Sequence, residues 1–131
     1  PASPFLQIED LSKSLEILIE TGINYVYPVT EFVYPPQRGM RKLPDDRMQF
    51  LIPENELKRT QDFEVLYHDT GQFYWGKSSA WTGGFAMNST GIGMKIPSWR
   101  VVDIDTEDDW IRAELIHKSL FPNEYCLQET I

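Results

Sequence analysis

The stretch Val101-Val102-Asp103-Ile104-Asp105-Thr106-Glu107-Asp108-Asp109-Trp110 constrains the chain more than any other. Apolar and acidic residues alternate from Val102 to Asp105, and on an extended backbone successive side chains point to opposite faces. Val102 and Ile104 therefore share one face, Asp103 and Asp105 the other. Thr106 is a good N-cap, and Asp109 three residues later resembles the second half of a capping box. Glu107 and Asp108 fall in a first helical turn, where the helix dipole favours acids. The pattern predicts a buried strand over 101–105 running into a helix from Glu107 to about Leu120. Two carboxylates then stand side by side at a strand mouth. They suit a hard divalent cation that completes its shell with water or phosphate. They equally suit a cap and a solvated acid.

The surrounding chain has the helix–strand rhythm of an α/β fold. Leu11, Leu15, Leu18 and Ile19 recur at helical spacing, Glu9 and Asp10 suit the first turn, and Gly22 is a natural stop, so a packing helix is expected over 8–21. A Tyr-, Val- and Phe-rich strand follows over 24–32, in which Pro28 argues for an edge position or a bulge. Residues 33–39 read as a loop. Two short runs around Pro44-Asp45-Asp46 read as a β-hairpin. Arg38, Arg41, Lys42 and Arg47 gather basic charge there, as an ordinary solvated hairpin or as a grip on an anion. Residues 54–66 are irregular or helical. From Gln72 the chain alternates as a strand, with Phe73 and Trp75 on the core side and Gln72 and Tyr74 on a polar side. His68 precedes Asp69 directly, but adjacent residues seldom face each other, and no nucleophile elbow accompanies them. Ser78 to Trp81 suits a short helical turn. The glycine-rich run 82–93 lacks the spacing of a phosphate-binding loop and reads as a mobile loop. Trp110, Ala113, Ile116 and Leu120 form one stripe on the last helix, and a loosely held tail is expected after it.

Charge and length narrow the partners. The chain has 131 residues, 41% of them hydrophobic, and a net charge of -8. That is enough apolar material for one core, and the charge disfavours nucleic acid and anionic membranes. One cysteine, Cys126, permits no internal disulfide, and no membrane span or signal peptide is visible, so a cytoplasmic setting is expected. Asn88-Ser89-Thr90 matches a glycosylation acceptor by chance.

Several motifs in order resemble one family. Val29-Thr30-Glu31-Phe32, Pro36-Gln37-Arg38, Thr60-Gln61-Asp62-Phe63-Glu64, the run Tyr67-His68-Asp69 with Gly71-Gln72-Phe73-Tyr74-Trp75-Gly76, and Val102 to Trp110 are similar to the acylneuraminate cytidylyltransferases, above all the pseudaminic acid branch. The resemblance implies a Rossmann-like nucleotidyltransferase sheet of α/β class. It implies transfer of CMP from CTP to a nine-carbon 2-keto sugar acid, with release of pyrophosphate. It further implies Mg²⁺ on Asp103 and Asp105 as the metal-binding and catalytic pair, and Arg38, Arg59, Gln61, Gln72 and Tyr74 on the sugar side. A homodimer through a protruding hairpin at about 33–53 is expected. Pro1-Ala2-Ser3-Pro4 resembles the segment that follows the cytidine-site strand, and the family's basic, glycine-rich nucleotide loop has no counterpart. The chain therefore reads as the C-terminal portion of one cytidylyltransferase domain, 1–131, inactive alone. A non-catalytic dimerisation module and a ketodeoxyoctonate-type nucleotidyltransferase are the alternatives.

Overall fold

The structure is a computed structural model, and it describes residues 3–122. The expected tail and Cys126 lie outside those residues. The first helix, α1, spans Ile8–Thr21 and ends where the Gly22 N–H meets the Leu18 carbonyl at 3.1 Å. Gly22 sits at φ 63, in the left-handed region that glycine enters at little cost. Leu18 is buried, with Leu15 and Ile17 packed beside it, whereas Ile19 of the expected stripe faces solvent. Ser14 is fully buried, and its hydroxyl donates back to the Asp10 carbonyl at 2.6 Å. That bond removes the cost of an unpaired polar group.

Strand β1, Tyr25–Glu31, is the centre of a four-stranded mixed sheet. Strand β6, Gly91–Lys95, runs parallel along one edge of it. Strands β4, Tyr67–Asp69, and β5, Trp75–Gly76, run antiparallel along the other. Pro28 is fully buried in this central strand, which corrects the edge position expected for it. Its carbonyl accepts from the Thr70 N–H at 3.2 Å, on the β4 side. The missing N–H points to that same side, where pairing with β5 stops at Val26 and pairing with β4 starts at Val29. The proline thus falls in a break of the ladder that needs no donor.

Alternation along β1 feeds two cores. Val26 packs with Leu18, Met94 and Ile96 under α1. Tyr25 and Tyr27 pack on the opposite face with Ala80 of α2, Ser78–Gly83, and Met87 of α3, Met87–Thr90. Helices therefore cover both faces, but among the described residues only the β1–β6 pair is parallel. The run 82–93, expected as a mobile loop, supplies α3 and begins β6. Its glycines serve close approach rather than flexibility: a Cβ on Gly91 would meet the Tyr27 ring at 2.9 Å, and one on Gly93 the Val29 side chain at 2.8 Å.

The expected strand from Gln72 is reduced to Trp75–Gly76. Gly71, at φ 68, turns the chain out of β4 first. Phe73 and Trp75 nevertheless reach the core under α1, as their alternation requires. The hairpin forms from β2, Met40–Lys42, and β3, Met48–Phe50, as a separate two-stranded sheet. Its turn places Asp46 at φ 66, a conformation that aspartate tolerates. Two of its basic residues are paired within the turn, Lys42 with Asp46 at 2.6 Å and Arg47 with Asp45 at 2.7 Å.

The last helix, α4, spans Glu107–Leu120. Ala113 and Ile116 pack against Phe5, Val102 and Ile104, while Trp110 and Leu120 of the expected stripe stay exposed. The segment 101–105 is not a strand. No described strand pairs with it, and an extended segment becomes a strand only when a neighbour takes its N–H and C=O groups. Its alternation survives: Val102 is buried, Ile104 half-buried, and Asp103 and Asp105 exposed.

Candidate active site

The capping box anticipated from the sequence holds the acidic segment at the mouth of α4. Thr106 Oγ1 accepts the Asp109 N–H at 3.3 Å, and the Asp109 carboxylate accepts the Thr106 N–H at 3.0 Å. The same carboxylate accepts the Asp105 N–H at 3.3 Å. The Thr106 hydroxyl bound to it holds the Asp109 carboxyl below the usual carboxylate range. Asp109 is therefore committed to the cap, and Asp103 and Asp105 remain solvent-facing on one side of the segment. Among the described residues no group of three His, Cys, Asp or Glu side chains converges as a complete metal cage. The two exposed carboxylates instead fit an ion that takes one or two protein oxygens and fills its shell from water and phosphate, as Mg²⁺ does.

Tyr74 links this segment to β4. Its hydroxyl donates to Asp69 Oδ2 at 2.6 Å. That bond, reinforced by partial burial, pushes its pKa up to about 12, and Asp103 adds to the rise through its charge. Asp69, Tyr74 and Asp103 thus belong to one acidic neighbourhood, with Tyr74 a neutral donor inside it. The Gln72 amide donates to the Arg100 carbonyl at 3.1 Å, and its own Oε1 is buried with no hydrogen-bond partner.

The other expected contacts gather elsewhere. Arg38 follows the turn at Pro36 and donates to the Lys58 carbonyl at 2.7 Å, with its guanidinium 5.3 Å from the Phe50 ring centre. Arg59 is held in a forked pair by Asp62, both bonds 3.0 Å. Gln61 is exposed beside them. Arg38 and Thr60 line a hollow of about 380 Å³ at the base of the hairpin. The structure therefore brings the turn that carries Gln72 and Tyr74 beside the segment 100–103, Gln72 through the Arg100 carbonyl and Tyr74 through the charge of Asp103, and sets Arg38, Arg59 and Gln61 around the hairpin.

Sequence reading missed an open groove of about 670 Å³ along β1, β4 and β6. Gly91 and Gly93 line it, with Tyr27, Val29, His68 and Asp69 around them. Lys95, also in its lining, is paired with Glu31 on the neighbouring strand. Tyr67 donates to the same carboxylate at 3.2 Å. The Lys95 hydrogen bond lowers the Glu31 pKa, and the Glu31 carboxylate raises that of Lys95. The signal was available as glycine at alternate positions, which leaves one face of a strand bare. The intervening register could not be read before β6 was seen to pair with β1.

No family model matches the chain. Among curated proteins it is 32% identical over 118 residues to the pseudaminic acid cytidylyltransferase of Campylobacter jejuni subsp. jejuni serotype O:2, covering 88% of this chain and 50% of that protein. The same values hold for the enzyme of that name from serotype O:23/36. It is 34% identical over 80 residues to a Helicobacter pylori protein named as both a pseudaminic acid cytidylyltransferase and a UDP-2,4-diacetamido-2,4,6-trideoxy-beta-L-altropyranose hydrolase, covering 60% of this chain and 15% of that protein. The resemblance expected from the motifs is thereby confirmed at the level of curated homologues. The chain spans about half the length of the Campylobacter relatives it matches.

Proposed function

We propose that this chain, similar over most of its length to pseudaminic acid cytidylyltransferases, is the sugar- and metal-binding portion of such an enzyme. The reaction is transfer of CMP from CTP to a nonulosonic acid of the pseudaminic or sialic type, for surface glycan synthesis. The single observation that carries the reading is the similarity over 88% of the chain. The mixed α/β sheet supports a Rossmann-like nucleotidyltransferase fold.

In this reading the anomeric hydroxyl of the sugar acid attacks the α-phosphorus of CTP. The new bond joins sugar oxygen to phosphorus, the bond to pyrophosphate breaks, and the hydroxyl proton passes to a carboxylate of the site. Asp103 and Asp105 would hold Mg²⁺, which would supply charge compensation for the phosphates and for the departing pyrophosphate. The capping box fixes the segment that presents them. Tyr74, its single O–H given to Asp69, stays protonated and is not a base at neutral pH; toward the sugar it would offer its oxygen as an acceptor. Gln72, held on the Arg100 carbonyl with its Oε1 buried, would reach a sugar hydroxyl or amide N–H by turning outward. Arg38, Arg59 and Gln61 serve the anionic end of the sugar, for which Arg38 and Arg59 exchange their present partners.

The homodimer in this reading forms through the hairpin, where Met40, Met48, Leu51 and Ile52 are exposed. The same patch favours the second reading, a non-catalytic dimerisation module; light scattering showing a monomer at high concentration sinks both uses of the hairpin. No helix among the described residues is long and apolar enough to cross a membrane, and a reaction that consumes CTP belongs in the cytoplasm.

The test is pyrophosphate release from CTP and Mg²⁺, run on this chain and on the whole product of its gene. Pseudaminic, N-acetylneuraminic and ketodeoxyoctonic acids are offered separately, with EDTA as the blank. Release by the whole product with a nine-carbon acid supports the reading. Release only with ketodeoxyoctonic acid favours the related transferase, and no release with any of them overturns the enzyme assignment.

A further inference from the structure

Arg100 is the only charged residue that is buried among the described residues. It ends a short helical turn, Ser98–Arg100, three positions before Asp103. Its guanidinium forks onto Asp10 of α1, with Nη1 at 2.5 Å from Oδ2 and Nη2 at 3.4 Å from Oδ1. The two side chains retain 7% and 14% of their surface. Its backbone carbonyl accepts the Gln72 amide at 3.1 Å. One residue further along α1, the Leu11 carbonyl accepts the Trp75 indole N–H at 3.1 Å. One turn of α1 therefore ties down both stretches that carry the candidate site, 72–75 and 100–105.

A buried arginine is costly unless its charge is paired, and apolar side chains of similar volume pack as stably in many interiors. What the pair adds over an apolar contact is direction, because the planar guanidinium meets a carboxylate in one forked geometry. We propose that Asp10 is a positioning residue, acting through Arg100 to orient the Gln72 side chain and to fix the backbone that presents Asp103 and Asp105. The inference rests on the proposed role of those three residues. Asp10 itself touches none of them, so its effect on ligand binding is indirect.

The test replaces the pair by apolar residues, Asp10→Leu with Arg100→Met, in the ¹⁵N-labelled chain. The amide spectrum reports the fold, the Gln72 side-chain amide reports orientation, and Mn²⁺ broadening reports the carboxylates. The expected result keeps the α1 and β1 signals in place. The Gln72 side-chain amide loses its distinct shift, and the Mn²⁺ concentration that half-broadens Asp103 and Asp105 rises about tenfold, as for other residues that orient metal ligands. Unchanged Gln72 and 103–105 signals overturn the proposal, because a merely structural pair would move the melting temperature alone. Asp10→Asn, which keeps the shape and removes the charge, carries the same readouts if the double variant does not fold. If Mn²⁺ broadens nothing at Asp103 and Asp105 in the parent chain, the metal reading falls, and the Gln72 amide still decides the role of Asp10.

Discussion

Tyr74 donates its hydroxyl to the Asp69 carboxylate at 2.6 Å, across the turn that separates β4 from β5. The bond couples the end of β4, at the rim of the groove, to the acidic segment before α4, because Tyr74 also feels the charge of Asp103. A neutral phenol between two carboxylates is the arrangement that tolerates their proximity best: it donates to one and adds no charge of its own.

Tyr74 is therefore expected to ionise well above an ordinary tyrosine. Its folded pKa, about 12, lies above the ordinary value of 10.0. A raised folded pKa means the native state keeps the proton after the unfolded chain has lost it, so the contribution is complete below pH 10 and is lost as pH rises through 12. Denaturant unfolding at pH 9 and pH 11 checks the sign. In Asp69→Asn the decline over that range flattens, and the Tyr74 step of the absorbance titration moves down toward the ordinary tyrosine value. An unchanged titration in Asp69→Asn removes the coupling.

Asp103→Asn and Asp105→Asn are each expected to leave the fold intact, since both side chains are exposed and neither carboxylate takes part in the α4 cap. In the whole gene product each lowers pyrophosphate release by roughly 10²-fold or more, the scale of losing a charge-stabilising group. EDTA produces a loss in the parent, reversed by Mg²⁺. Full turnover in Asp103→Asn would falsify the metal role.

Thr106→Ala removes the side-chain acceptor for the Asp109 N–H and leaves the Asp109 carboxylate to hold the segment alone. The expected cost is about 1 kcal/mol by urea unfolding. Mn²⁺ affinity at Asp103 and Asp105 weakens with it, since their segment is anchored by the same cap. A stability loss without any change in Mn²⁺ affinity separates the cap from the site.

Gly93→Ala tests whether the bare floor of the groove matters. The added Cβ falls 2.8 Å from the Val29 side chain, in a strand pair with no slack. Overpacking of this kind costs about 1–3 kcal/mol, and the shifted β6 narrows the groove. A loss of that size in urea unfolding is the expected outcome. A variant as stable as the parent shows that the glycine is dispensable.

Local patterns decided much of this protein from sequence alone. Ile8–Thr21 and its glycine stop, the hairpin around Pro44-Asp45-Asp46, and the Thr106–Asp109 capping box follow from periodicity, turn chemistry and cap spacing, which act within a few residues. The facing of Val102 against Asp103 also followed, because alternation belongs to any extended backbone. The motifs that resemble pseudaminic acid cytidylyltransferases were legible for the same reason, as contiguous strings. Only the tertiary structure decided that Pro28 sits in a central strand, that the Gly91–Gly93 run is a strand rather than a loop, and that 101–105 stays unpaired. Each depends on which distant segment lies alongside, and a ladder hydrogen bond has two ends far apart in sequence. The Lys95–Glu31 and Arg100–Asp10 pairs have the same origin: charges 64 and 90 residues apart meet because the sheet and α1 bring them together, and nothing near either residue foretells its partner.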